Sequence, residues 1–79
     1  MRSELEIQGS RTIGQGDRGV RVEYVQRAMA RRELFTGPVD GRFGIVLAKA
    51  VRHFQQAAGL PVTGDVNART WEAMFARGK

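Results

Sequence analysis

Side chains able to do chemistry are few in this chain, and their spacing limits what they can do. There is no cysteine, and the two serines, Ser3 and Ser10, lie in a polar stretch broken by glycines near the amino terminus. The single histidine, His53, has no serine placed to partner it, so a Ser-His or Cys-His nucleophile is not on offer. A metal site on His53 would have to draw on Asp40, Asp65 and Glu72, whose spacing matches no ligand pattern. Asp40 and Asp65 are the pair to consider for acid and base work across a glycosidic bond. Each adjoins a glycine in a turn (Asp40-Gly41 and Gly64-Asp65), where aspartate commonly caps nearby amides. A core this small also gives little burial with which to raise a carboxyl pKa. The expectation is no catalytic residue, no metal, no cofactor and no enzyme.

Binding chemistry is better provided for. Arg42 sits between Gly41 and Phe43, just ahead of a helical stretch whose amino end offers free amides and partial positive charge. A carboxylate would suit that place. Asp40, Gly41, Arg42, Phe43 and Gly44 are therefore candidate ligand-binding residues. Tyr24 joins them as an aromatic able to stack, and Gln55 as an amide that either braces a loop or faces a groove and bonds a ligand amide. Gln26 has the same two readings. Trp71 and Phe54 could stack on ligand rings too, but their helical spacing assigns them to the core.

Three amphipathic segments must position these groups. Val22, Val25 and Met29, with Tyr24 and Ala28 beside them, mark a helix from about Arg18 to Arg32, with Asp17 as its N-cap. Leu47, Val51, Phe54 and Ala58 mark a second, ended by Gly59 and Pro61. Thr70, Trp71, Met74 and Phe75 mark a third, capped by Asn67 and stopping near Ala76 or Arg77. The connectors Pro38-Val39-Asp40-Gly41 and Pro61-Val62-Thr63-Gly64 are alike. A shift of 23 residues lays Pro38, Val39, Gly41 and Ala50 on Pro61, Val62, Gly64 and Ala73, all identical, and Phe43 and Gly44 on Val66 and Asn67. The pattern predicts an all-α fold: a compact three-helix bundle over 13–77 with two similar Pro-Val-x-Gly turns, Phe43 and Val66 plugging its loop side. Residues 1–12 read as an irregular arm or linker, with Ile13 placed to pack back onto the domain.

Charge and composition bound the partners. Thirteen basic residues against eight acidic give a net charge of +5, and the basic residues are scattered. Such a surface attracts polyanions in general, but it has no stripe dedicated to nucleic acid. The longest uncharged stretch, Phe54 to Gly64, is far short of the roughly 20 apolar residues needed to cross a bilayer, so no membrane partner is expected. The start, Met-Arg-Ser-Glu-Leu-Glu-Ile, shows no apolar segment of a secretory leader. Lack of cysteine suits either redox compartment. Localisation stays open.

These residues together resemble the peptidoglycan-binding domain family, a small three-helix module found beside cell-wall hydrolases. The resemblance rests on Gly16 and Gly19; Val22, Val25, Gln26 and Met29; Asp40, Gly41, Phe43 and Gly44; Ala50, Val51, Phe54 and Gln55; and Gly59, Leu60, Pro61, Val62, Gly64, Thr70 and Trp71. It covers about residues 13–75. Val25 and Met29 replace the family's usual leucines, and Leu47 stands where the family usually has threonine. The resemblance implies a non-catalytic module that recognises bacterial peptidoglycan, through its glycan or its peptide stem. It would target an attached or partner protein, such as a cell-wall hydrolase domain, to the wall. A cell-envelope or secreted setting follows if the chain is part of a wall enzyme. A protein-interaction or assembly module on the same fold is the alternative, and nucleic-acid binding, suggested by charge alone, ranks below both.

Overall fold

A computed structural model describes residues 12–75, and the expectations for the arm before residue 12 and for the stop near Ala76 or Arg77 fall outside them. Three helices form: α1 (Val20–Arg31), α2 (Ile45–Ala58) and α3 (Ala68–Phe75). Among the described residues there is no strand, only two isolated antiparallel bridges, Ile13 to Val66 and Arg18 to Arg42. The fold is the expected all-α bundle.

Packing explains why these segments are helical. Val22, Val25, Ala28 and Met29 from α1 meet Leu47, Ala48, Val51 and Phe54 from α2 and Trp71 and Met74 from α3 in one buried cluster. Ile13, Phe35, Phe43 and Val66 close it from the loops. Phe54 and Trp71 are core residues, as their spacing requires. Ala58 departs from the expected stripe: it is exposed, and half-buried Leu60 beyond the helix packs on the cluster instead. Phe75 is also on the rim, its ring tilted against Trp71 at a centroid distance of 4.6 Å.

The beginning of α1 is a second departure. Its N-cap is Gly19, at φ 130°, so Asp17 does not cap it. Asp17 is used earlier: its Oδ2 accepts from Gly14 N (2.9 Å), and its carbonyl accepts from Phe43 N (2.9 Å). Tertiary pairing therefore claims residues 17 and 18 before a helix can start there.

Both longer helices end alike. Leu60 N donates to Gln55 O (2.9 Å) and Gly59 N to Gln56 O (3.3 Å), with Gly59 left-handed at φ 74°. At the end of α1, Leu34 N donates to Met29 O and Glu33 N to Ala30 O, both at 2.9 Å, but the left-handed residue is Glu33 at φ 63°. A non-glycine residue pays a steric penalty there. Arg32 then ties the helix ends together: it donates to Ala28 O and Met74 O and lies 5.0 Å over the Phe54 ring.

Candidate functional site

The two similar turns are built on two buried glutamines. Gln26 Oε1 accepts from Gly41 N (2.8 Å), while its Nε2 donates to Asp40 Oδ1 (3.0 Å) and Arg42 O (3.1 Å). Gln55, 29 residues on, does the same for the turn displaced by 23: Oε1 accepts from Gly64 N (3.0 Å) and Thr63 N (2.9 Å), and Nε2 lies within bonding distance of Asp65 O and Thr63 Oγ1. Gly41 and Gly64 are left-handed at φ 76° and 85°, where a side chain would be strained. The duplicated turn thus extends to its hydrogen bonds.

Two of the differences between the copies bear on the site. Thr70 is the repeat equivalent of Leu47, and its Oγ1 gives Gln55 Nε2 a further acceptor at 3.1 Å. Leu47 has no hydroxyl and is fully buried in the core, so Gln26 relies on Asp40 and the Arg42 carbonyl. The helix starts differ as well. Asn67 Oδ1 caps α3 by accepting from Thr70 N (2.9 Å). Gly44 has no side chain with which to cap α2, whose first internal bond is Ala48 N to Gly44 O (3.0 Å). The Ile45, Val46 and Leu47 amides precede that bond, at the electropositive end of a 14-residue helix.

That end of α2 opens on two depressions. One, about 290 Å³, is lined by Phe35, Gly37, Pro38, Ile45 and Val46 together with Asp40, Arg42 and Gly44. Ile45 and Val46 are 71% and 59% exposed, an apolar pair outside the phase that α2 buries. The other, about 370 Å³, is lined by Gly16, Asp17, Arg18, Arg42, Phe43 and Gly44. Arg42 and Gly44 border both. Gln26 Nε2, the Arg42 N–H and the Arg42 charge together hold the Asp40 carboxyl below its usual range. Asp40 is thus an ionised acceptor that braces the turn.

The sequence-predicted residues separate into three groups. Asp40, Arg42 and Gly44 come together as exposed lining of the 290 Å³ depression, and Arg42 and Gly44 line the other as well. Gly41 and Phe43 lie beneath them: the Gly41 amide is spent on Gln26, and the Phe43 ring is a 3% exposed plug. Gln55 and Tyr24 stand apart. Gln55 has no exposed surface and its amide is fully engaged in the other turn, so the bracing reading is the one its geometry supports. Tyr24 is 45% exposed on α1 and lines neither depression.

Phe35, Ile45, Val46 and Arg18 were not singled out from the sequence. Ile45 and Val46 carried a signal, two apolar residues in a first turn that the core does not need. His53 is an exposed residue of α2, and among the described residues no group of three acidic, histidine or cysteine side chains could hold a metal. Nor is any helix there long and apolar enough to cross a membrane.

Comparison with known proteins agrees with this fold. Residues 18–74 match the family model described as "Putative peptidoglycan binding domain". The spore cortex-lytic enzyme of Bacillus cereus is 36% identical over 66 residues, which are 84% of this chain and 26% of that protein. The chain thus spans about a quarter of the length of that relative. The crystal structure of the SleB N-terminal domain superposes with a TM-score of 0.80 at 35% identity, covering 82% of this chain and 89% of that one. A Burkholderia AP3 phage endolysin gives 0.78 at 31% identity, over 87% of this chain and 27% of the endolysin. With a family model spanning most of its length, and a solved domain of the same fold more than a third identical, this chain belongs to the peptidoglycan-binding domain family.

Proposed function

We propose that the chain is a non-catalytic module that recognises bacterial peptidoglycan at the amino end of α2 and carries an attached or partner protein to the wall. One observation carries the location: Gly44 leaves the first amides of α2 without a side-chain cap, where Asn67 caps α3, and Arg42 stands beside them. An acidic group of the wall polymer accepts from those amides and from Arg42. Its less polar part lies against Pro38, Ile45 and Val46, with Phe35 behind. Asp40, Gly41 and Phe43 hold the turn in register. Gln55 does the same for the second turn, and Tyr24 contributes only where a long polymer continues over α1.

Such contacts are weak singly, but they raise the local concentration of a tethered enzyme on an insoluble substrate. Most of the spore cortex-lytic enzyme lies outside the matched region, which leaves room there for the domain that would be delivered. Amide-shift titration of the 79-residue chain with soluble wall fragments tests the reading. The expected shifts centre on residues 40–46, with co-sedimentation on insoluble wall and no release of wall fragments. A chain that remains in the supernatant at low salt with several wall types overturns it.

A further inference from the structure

Arg18 faces Arg42 directly across the fold. Gly19 N donates to Gly41 O and Phe43 N donates to Asp17 O, both at 2.9 Å, which makes Arg18 and Arg42 the opposed residues of an antiparallel bridge. In this pattern they are the pair that exchanges no hydrogen bonds, the arrangement that brings side chains nearest, with Cα atoms about 4.5 Å apart. Both side chains are exposed and both line the 370 Å³ groove. Like charges directly opposite one another disfavour the fold. Among the described residues, the one ion pair is Arg27 with Glu23, and neither Arg18 nor Arg42 has a carboxylate within ion-pairing distance. Of the two acidic neighbours, each has one oxygen committed: Asp17 Oδ2, on the groove wall, accepts from Gly14 N, and Asp40 Oδ1 accepts from Gln26 Nε2 and Arg42 N, while the Arg42 charge acts on Asp40 without a direct ion pair.

We propose that Arg18 and Arg42 form a two-pronged clamp for a carboxylate of the wall's peptide stem, a deepening that rests on the wall-binding reading above. Each guanidinium presents its donors as a planar fork that matches a carboxylate, and an anion between the two removes the repulsion that the bridge enforces. Arg42 and Gly44 border both depressions, so a bound peptide runs from the arginine pair across Gly44 onto Ile45 and Val46. The pair is therefore a specificity device: it selects free acids over amidated stems, which a neutral apolar cleft would not distinguish.

Co-sedimentation with purified sacculi tests this, using untreated sacculi, sacculi whose carboxyls have been converted to amides, and sacculi stripped of phosphodiester polymers. The variants are Arg18→Gln, Arg42→Gln and Arg69→Gln, the last an exposed charge outside both grooves. Circular dichroism and thermal melts establish that each is folded. The expected result is about tenfold weaker binding to untreated sacculi for each of the first two variants, the scale of one charge-assisted contact, and no comparable loss for Arg69→Gln. Amidation weakens the unaltered chain to a similar degree and leaves Arg18→Gln little further to lose. Binding indifferent to amidation, or an Arg18→Gln that binds like the unaltered chain, sinks the clamp and leaves wall recognition standing. Loss on removal of phosphodiester polymers alone assigns the pair to a phosphate and overturns the carboxylate. Failure of the unaltered chain to sediment with any sacculus ends both readings.

Discussion

Replacing Gln55 by leucine keeps the approximate size of the side chain and deletes every hydrogen bond between that side chain and the second turn, leaving only the local Thr63–Asp65 pair. Two backbone N–H groups lose their acceptor, Thr63 N and Gly64 N, and Asp65 O and Thr70 Oγ1 lose a donor. Gly64 is buried, so its amide cannot turn to water and bears the full cost of an unmade bond, about 1–3 kcal/mol. Thr63 is exposed and can be rehydrated, so its loss is nearer the net value of an ordinary bond, about 0.5–1.5 kcal/mol. The sum is about 1.5–4.5 kcal/mol, a large part of the roughly 4–12 kcal/mol expected for a chain of this length. Gln26→Leu is the internal control. It orphans one buried amide, Gly41 N, while its other partners belong to exposed residues, Asp40 and Arg42, so its cost is about 1–3 kcal/mol. Gln55→Leu is therefore the more damaging by about 1 kcal/mol. Urea titration followed by fluorescence of Trp71, the one tryptophan and a buried one, measures both. An equal or smaller loss in Gln55→Leu refutes the claim that unmade amide bonds set the cost.

Three further outcomes follow from the same geometry. Glu33→Gly relieves a left-handed residue at φ 63° and should stabilise the chain by about 1 kcal/mol, a rise of roughly 4–8 °C in Tm by scanning calorimetry. Gly44→Asn supplies α2 with the cap that Asn67 gives α3; no other group lies within 4 Å of a Cβ there. Stability should change by only a few tenths of a kcal/mol, while affinity for wall fragments falls because the new side chain takes the amides proposed for the ligand. For Asp40, the folded-state pKa lies below the ordinary aspartate range, held there by Gln26 Nε2 and the Arg42 N–H, so its stabilising contribution is complete above that range and is lost as pH falls through the folded pKa. Urea midpoints measured from pH 5 downward should therefore fall less steeply for Asp40→Asn than for the parent, and parallel curves would show that the carboxylate does not brace the turn.

Helical periodicity made the three helices and most of the core readable, because an apolar stripe is the same object in sequence and in space. Gly59 and Asn67 were readable for a related reason: each acts on residues next to it in the chain. What escaped notice depends on residues far apart. Asp17 has the composition of an N-cap, but its carbonyl is committed to Phe43 and its carboxylate to Gly14. Glu33 carries no sign that it must adopt the conformation Gly59 adopts at the other helix end. Phe35 follows a charged helix end with no periodic partner, yet it is buried in the core. The candidate site divides in the same way. Asp40 to Gly44 were found because they are contiguous, whereas a glutamine that braces and a glutamine that binds look identical until their partners are placed.

Two halves built on one plan, with different finishing, create a division of labour. The half closed by Thr70 and Asn67 is chemically complete and can serve purely as scaffold. The half ending in Gly44 keeps its reinforcement beneath, at Gln26 and Phe43, and leaves positions 42, 45 and 46 pointing outward with no duty to the interior. Diversifying those three positions should therefore retune what the module adheres to without endangering the frame, so the architecture doubles as a small, cysteine-free starting point for engineered adhesion.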